Sequence, residues 1–218
     1  MKTEFEQYCI DNWSDCLKPI SELSNALVDS KTVGYCFDDV CSNLCSDSSS
    51  KPASVDAMFI KGNVIEFVEY KTGIRQKITT SNFDDKLIPV SLTQTEKDEY
   101  KEMLIERSEF SHKYLLECIK LKAVESYVLF EKKVILDSHL QFDRDKFFIR
   151  LIIVHDDGGI SSNIDILGSL SKGHQQSELS RTISSSLCRY RKQEDANSNK
   201  YYYDDIKVVS AIEYKNRI

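Results

Sequence analysis

Val55-Asp56-Ala57-Met58-Phe59-Ile60-Lys61-Gly62-Asn63-Val64-Ile65-Glu66-Phe67-Val68-Glu69-Tyr70-Lys71 is the stretch on which the reading of this chain turns. Two runs rich in β-branched and aromatic residues, Val55 to Ile60 and Val64 to Tyr70, flank Lys61-Gly62-Asn63. Gly62 and Asn63 can take the positive backbone angles of a tight turn, so the expectation is a β-hairpin. Side chains alternate along a strand, so Glu69 and Lys71 share a face and Glu66 points away from both. Pairing through the turn carries Asp56, at the head of the first strand, toward Glu69. Two carboxylates and a carbonyl oxygen, here that of Tyr70, suit a hard Mg2+ or Mn2+ ion. A lysine beside them can orient or help deprotonate an attacking water. The pattern nominates metal-assisted phosphodiester hydrolysis, the ion polarising the scissile phosphate and stabilising charge on its oxygens. The competing reading is a charged hairpin face, since Glu-any-Lys is a short string common on exposed strands.

The chain contains its own control. Glu213-Tyr214-Lys215 repeats the three letters with Asp205 upstream, but no glycine-centred turn separates two strands there. Context, and not the string, favours the first copy.

Working outward, residues 3 to 17 read as a short amphipathic helix around Phe5, Cys9 or Ile10, Trp13 and Leu17, interrupted at Pro19. Further helices are expected over 21–28 and 33–44, the latter around Phe37, Val40, Cys41 and Leu44, followed by a polar loop over 45–52. After the hairpin, a third strand is expected over Arg75 to Thr80. Residues 95–109 and 111–130 read as two helices. The second presents Tyr114, Leu115, Cys118, Leu121, Val124 or Glu125, and Val128 as a mostly apolar face suited to covering one side of the sheet. Phe147 to Val154 is the most apolar run and reads as a central strand. A helix over 175–191, a loop over 193–200 and a strand over 206–214 complete the chain.

With 218 residues, ordinary composition and no apolar run near the roughly 20 residues of a bilayer span, the expectation is one α/β domain without a membrane segment. The amino terminus turns acidic at Glu4 and lacks the apolar stretch of a secretory signal, so a cytoplasmic location is expected. Seven cysteines, an odd number, do not make a disulfide framework. Cys36, Cys41 and Cys45 lack the paired-cysteine knuckle of a zinc ribbon, leaving reduced thiols as the expectation. A net charge of -6 argues against coating nucleic acid by bulk electrostatics and leaves room for a local basic patch aided by a cation.

The segment from Ser54 to Gly73 resembles the core of the PD-(D/E)xK nuclease superfamily, the restriction-endonuclease-like fold. The resemblance implies a mixed central β-sheet flanked by helices, an αβββαβ core with added helices. It implies Asp56 and Glu69 as ligands of Mg2+ or Mn2+ and Lys71 as the catalytic lysine. It also implies a nucleic-acid substrate, DNA before RNA. The proline common before the family's aspartate is Val55 here. Many members add a glutamate from the preceding helix. No glutamate lies between Glu22 and Asp56, so Asp38 is the first choice for that role, with Asp39 and Glu22 behind it. On this reading residues 33–155 hold the catalytic core, 1–32 a helical extension, and 156–218 a helix and strand extension. A catalytically inactive module of the same fold, binding nucleic acid or protein, is the alternative.

Candidate phosphate contacts are Lys61 at the hairpin tip, Lys113, Lys120 and Lys122 on one helix, and Arg181, Arg189, Arg191 and Lys192 on or beyond another. Solvated faces are the plainer explanation for each. Tyr201-Tyr202-Tyr203 is expected to finish the core before it stacks on bases. His155-Asp156-Asp157 reads as a polar strand end. Double-strand cleavage favours two symmetric centres, so a homodimer is mechanistically sensible, although no interface is legible.

Overall fold

A computed structural model describes residues 3–45, 52–72, 77–140, 143–156, 180–192 and 201–218. Its centre is a mixed six-stranded sheet whose spatial order follows the chain: β1 (Leu17–Pro19), β2 (Val33–Cys36), β3 (Ala57–Lys61), β4 (Val64–Lys71), β5 (Phe148–His155) and β6 (Asp205–Ser210). β1 through β4 are antiparallel, whereas β5 and β6 run parallel to β4. Parallel neighbours need a crossover. The first crossover contains α4 (Gln94–Leu129), and the second contains a helix over residues 180–187.

Alternation along the strands sorts side chains into two cores. Ile65 and Phe67 of β4, with Ile149, Leu151 and Ile153 of β5, face one layer of helices. That layer contains α1 (Glu4–Trp13) through Phe5, Cys9 and Trp13, α3 (Phe37–Leu44) through Phe37, Val40 and Cys41, and α4 through Ile119, Ala123 and Tyr127. Val68 and Tyr70, with Ile152 and Val154, face the other side, covered by α2 (Ile20–Leu23) and by a carboxy-terminal helix, Ala211–Lys215. β5 is buried on both faces, which explains why its sequence lacks alternation. The result is an α/β architecture with helices on both faces of a mixed sheet.

The hairpin turns at Gly62 with φ 59°, Lys61 pairing with Val64. Asn63 is not in the positive-φ region, so only the first turn position needs it, as in a type II′ turn. The expected third strand differs. Among 75–80, residues 75 and 76 lie outside the described residues and 77–80 form no strand. The antiparallel partner of β3 comes instead from upstream, because Val33-Gly34-Tyr35-Cys36 is extended, and α3 starts only at Phe37 with Asp38 and Asp39 in its first turn. A Cβ on Gly34 would run into the ring of Phe59 on β3. Gly34→Ala is expected to destabilise the fold by about 1–3 kcal/mol in urea titration, and Phe59→Leu in the same chain to recover part of it. An unchanged midpoint would show that the ring yields freely.

Other boundaries also move. The amino-terminal segment is not only helical, since β1 belongs to the sheet. The two helices expected over 95–109 and 111–130 are one, opened by a reciprocal capping box between Thr93 and Glu96. The last strand stops at Ser210, where the serine caps the helix Ala211–Lys215. The second Glu-Tyr-Lys string is therefore helical, and its Tyr214 packs against Tyr70 of the first, ring centres 5.8 Å apart. Tyr203 is fully buried and donates to the Ala123 carbonyl at 2.6 Å, while Tyr202 packs on Tyr127. The tyrosine run belongs to the core. The expected loop over 193–200 and most of that over 45–52 lie outside the described residues.

Candidate active site

Asp56 sits at the entrance of β3, and its position is fixed from two sides. Its carboxylate accepts the Tyr70 amide at 2.7 Å through Oδ2, and its carbonyl accepts the Phe37 amide at 3.2 Å. The lead-in to Asp56 is tied to α4: the Val55 amide donates to Ser126 Oγ at 2.8 Å, and the Ala53 amide donates to the Glu125 carboxylate. Glu69 lies on β4 with 0% of its surface exposed, beneath α4. Lys71, two residues on, places its ammonium 2.6 Å from the Glu69 carboxylate. The hairpin thus brings Asp56, Glu69 and Lys71 to one end of one face.

A fourth member joins them. Lys122 of α4 donates to Asp56 Oδ1 at 3.2 Å and to Glu69 Oε2 at 2.9 Å. Sequence reasoning grouped Lys122 with lysines aimed at phosphate. The usable signal was the polar pair Lys122 and Ser126, four residues apart on a helix whose remaining inner residues include Ile119 and Ala123. These are polar groups where a purely packing helix would carry apolar ones.

Electrostatics at the site are dominated by burial. Burial pushes the Glu69 carboxyl up to about 7, and the Asp56 charge adds to the rise while Lys122 and Lys71 oppose it. For Lys122 burial disfavours the charge, but Glu69 and Asp56 outweigh it and hold the ammonium above its ordinary range. Both oxygens of the buried Glu69 carboxylate meet an ammonium, Oε1 that of Lys71 at 2.6 Å and Oε2 that of Lys122 at 2.9 Å.

Donor chemistry tests the fit of a metal. Among the described residues no three His, Cys, Asp or Glu side chains group to hold an ion. Mg2+ does not require such a group, since it keeps several waters and binds through one or two carboxylates plus substrate phosphates. Asp56 and Glu69 converge on a position that the Lys122 ammonium already shares. The Asp56 side chain is 25% exposed, so the cluster opens to solvent there. Two carboxylates that already converge on a cation, both hard oxygen donors, fit Mg2+ or Mn2+.

The remaining nominated residues disperse. Asp38 accepts the hydroxyl of Ser54 and joins no three-acid group with Asp56 and Glu69. Asp39 is held by Lys18 at 2.7 Å, and Glu22 lies 3.9 Å from the same lysine. The Tyr70 amide donates to Asp56, which sets Tyr70, whose carbonyl is the expected third metal donor, beside the cluster. Lys61 is at the hairpin tip, roughly 16 Å along the strand from Asp56. Lys120 pairs with Glu117 on another side of α4. Arg189 lies over the Tyr190 ring. Glu66 faces away as expected, paired with Arg150 at 2.6 Å. Arg181 adjoins Ser180, which connects to the cluster's edge.

That edge is His155, the last residue of β5 and the register partner of Lys71. Its Nδ1 lies 2.8 Å from the Asp156 carbonyl, which can only accept, so Nδ1 carries the hydrogen. In the neutral ring Nε2 then accepts from Ser180, 3.1 Å away. The expected polar strand end is a buried, oriented histidine. Asp157 lies outside the described residues.

The seven cysteines are all free thiols. A separate cleft lined by Asp85, Ile88, Gln94, Lys97 and Lys101 shares no residue with the cluster. No helix of the described residues is long and apolar enough to cross a membrane.

Fold and site together define an α/β protein with a mixed sheet that presents an acid-lysine cluster at the mouth of a β-hairpin. No protein-family model, curated protein or solved structure matches the chain.

Proposed function

We propose that this chain is a divalent-metal-dependent nuclease that hydrolyses phosphodiester bonds, DNA before RNA. The observation that carries the reading is the convergence of Asp56 and Glu69 on one cation position, with Lys71 beside them. Support also comes from the order β2, α3, β3, β4, α4, β5, which follows the αβββαβ core implied by the resemblance to PD-(D/E)xK nucleases except that α3 is inserted between the first two strands.

Asp56 and Glu69 would hold Mg2+ or Mn2+, which when bound supplies Lewis-acid polarisation of the scissile phosphate. Lys71 extends from the same strand face to orient the attacking water by hydrogen bonding, and its positive charge faces the phosphate oxygens. The buried Glu69 must be ionised to serve as a ligand. Asp56 is kept in place by the Tyr70 amide at Oδ2, so Oδ1, which meets the Lys122 ammonium, needs little reorganisation. Beyond Lys122, which belongs to the cluster itself, Arg181 follows Ser180, whose hydroxyl meets His155 beside Lys71, and is the first choice for a phosphate contact.

The test is cleavage of linear, circular, single-stranded and branched DNA, and of RNA, with Mg2+ or Mn2+. Absence of metal-dependent cleavage on every substrate would sink the enzyme reading.

One observation favours the inactive alternative. Lys122 and Lys71 balance Asp56 and Glu69, making a cluster of two positive and two negative groups that can be purely structural. Mn2+ binding separates the readings. If Lys122 shares the ion's position, Lys122→Met is expected to tighten Mn2+ binding on the order of tenfold. No binding by wild type or variant would identify a structural ion cluster.

A further inference from the structure

Of the apolar face that the sequence assigns to the second half of α4, Leu115 packs against the core, whereas Tyr114, Leu121 and Val128 stay exposed. The five large apolar side chains of α4 that remain exposed are Met103, Phe110, Tyr114, Leu121 and Val128. At about 100° per residue they fall within an arc of about 40°. Ile119, Ala123, Ser126 and Tyr127, which α4 buries, lie on the opposite side. The exposed residues follow one another at intervals of seven, four, seven and seven. That is the seam of a heptad repeat, with Met103 and Phe110 in one core position and Tyr114, Leu121 and Val128 in the other.

Charge identifies the occupant. Flanking the seam at seven-residue intervals run Glu99, Glu106, Lys113 and Lys120, acids toward the amino end and lysines toward the carboxyl end. A parallel copy would set Glu99, Glu106 and Lys113 against Leu104, Ser111 and Cys118, which offer no opposite charge, and Lys120 alone against an acid, Glu125, which already accepts the Ala53 amide. In an antiparallel copy Glu99 faces Lys120 and Glu106 faces Lys113. Both pairs are equidistant from the point between Glu109 and Phe110, where a two-fold axis makes the contact self-complementary.

We infer that α4 is a dimerisation helix that pairs antiparallel with α4 of a second copy of this chain, along the Met103-to-Val128 seam. Lys120 exchanges its exposed contact with Glu117 for Glu99 of the second copy, a small change since exposed pairs are weak. Arg107 and Glu117 interrupt the seam, lowering affinity while fixing register. The two Lys122 residues stand on the order of 40 Å apart along the helix axis, and neither lies in the seam. The inference is independent of the catalytic reading.

Sedimentation velocity on the full chain over a concentration series tests it. Wild type is expected to dimerise reversibly, and Phe110→Glu to be monomeric with unchanged circular dichroism and melting. Glu106→Lys should raise the dissociation constant by about tenfold, and Glu106→Lys combined with Lys113→Glu should restore it. A wild type that stays monomeric, or a dimer indifferent to Phe110→Glu, overturns the proposal. So does a monomer that Phe110→Glu destabilises, since the seam would then be covered by its own chain.

Discussion

Lys71→Ala is expected to lower metal-dependent cleavage by roughly 10²–10³-fold, the size of effect seen when one preorganised electrostatic donor is removed from a reacting centre. Mn2+ binding should survive, because Lys71 contacts Glu69 without supplying a ligand. Glu69→Gln should lose both, since a neutral amide is a poor partner for a hard ion. These two outcomes differ in kind. Cleavage by Lys71→Ala at the wild-type rate would remove the lysine from the mechanism, whereas undiminished Mn2+ binding by Glu69→Gln would move the ion elsewhere.

A large stability effect should follow pH in the metal-free protein. The Glu69 carboxyl rises from an ordinary 4.5 to about 7, chiefly through burial. Between those values the folded protein holds a proton that the unfolded chain has released. Stability from this group is therefore fully present below about pH 4.5 and is lost as pH rises through about 7, in total on the order of 3 kcal/mol. Other carboxylates titrate nearby, so the measurement is the difference in unfolding free energy between wild type and Glu69→Gln across that range. Parallel curves would show that Glu69 is ionised throughout. Metal binding needs the ionised carboxylate, so Mn2+ affinity in wild type should increase over the same interval.

The hairpin was legible because its causes are local. A two-residue turn and the strand period of two place Glu69 and Lys71 on one face whatever surrounds them, and the registered turn brings Asp56 to their end. The central strand at Phe148 to His155 was legible for a related reason, since burial on both faces requires a run of apolar residues. β2 was not legible. Four residues, one of them Gly34, carry little periodicity, and their extended state depends on β3 and on the ring of Phe59. The helical state of Glu213-Tyr214-Lys215 likewise depends on the Ser210 cap and on Tyr214 packing against Tyr70.

The hairpin with Asp56, Glu69 and Lys71 was thus determined by the sequence alone, as turn chemistry and strand alternation act between near neighbours. Tertiary structure alone decided the rest of the site: α4 crosses above β4 and delivers Lys122, 53 residues from Glu69, between the two carboxylates. It also decided which side of α4 is buried. Periodicity shows that a helix has an apolar stripe, but only the placement of the sheet shows which of its members face the core, as Leu115 does, and which face solvent, as Tyr114, Leu121 and Val128 do.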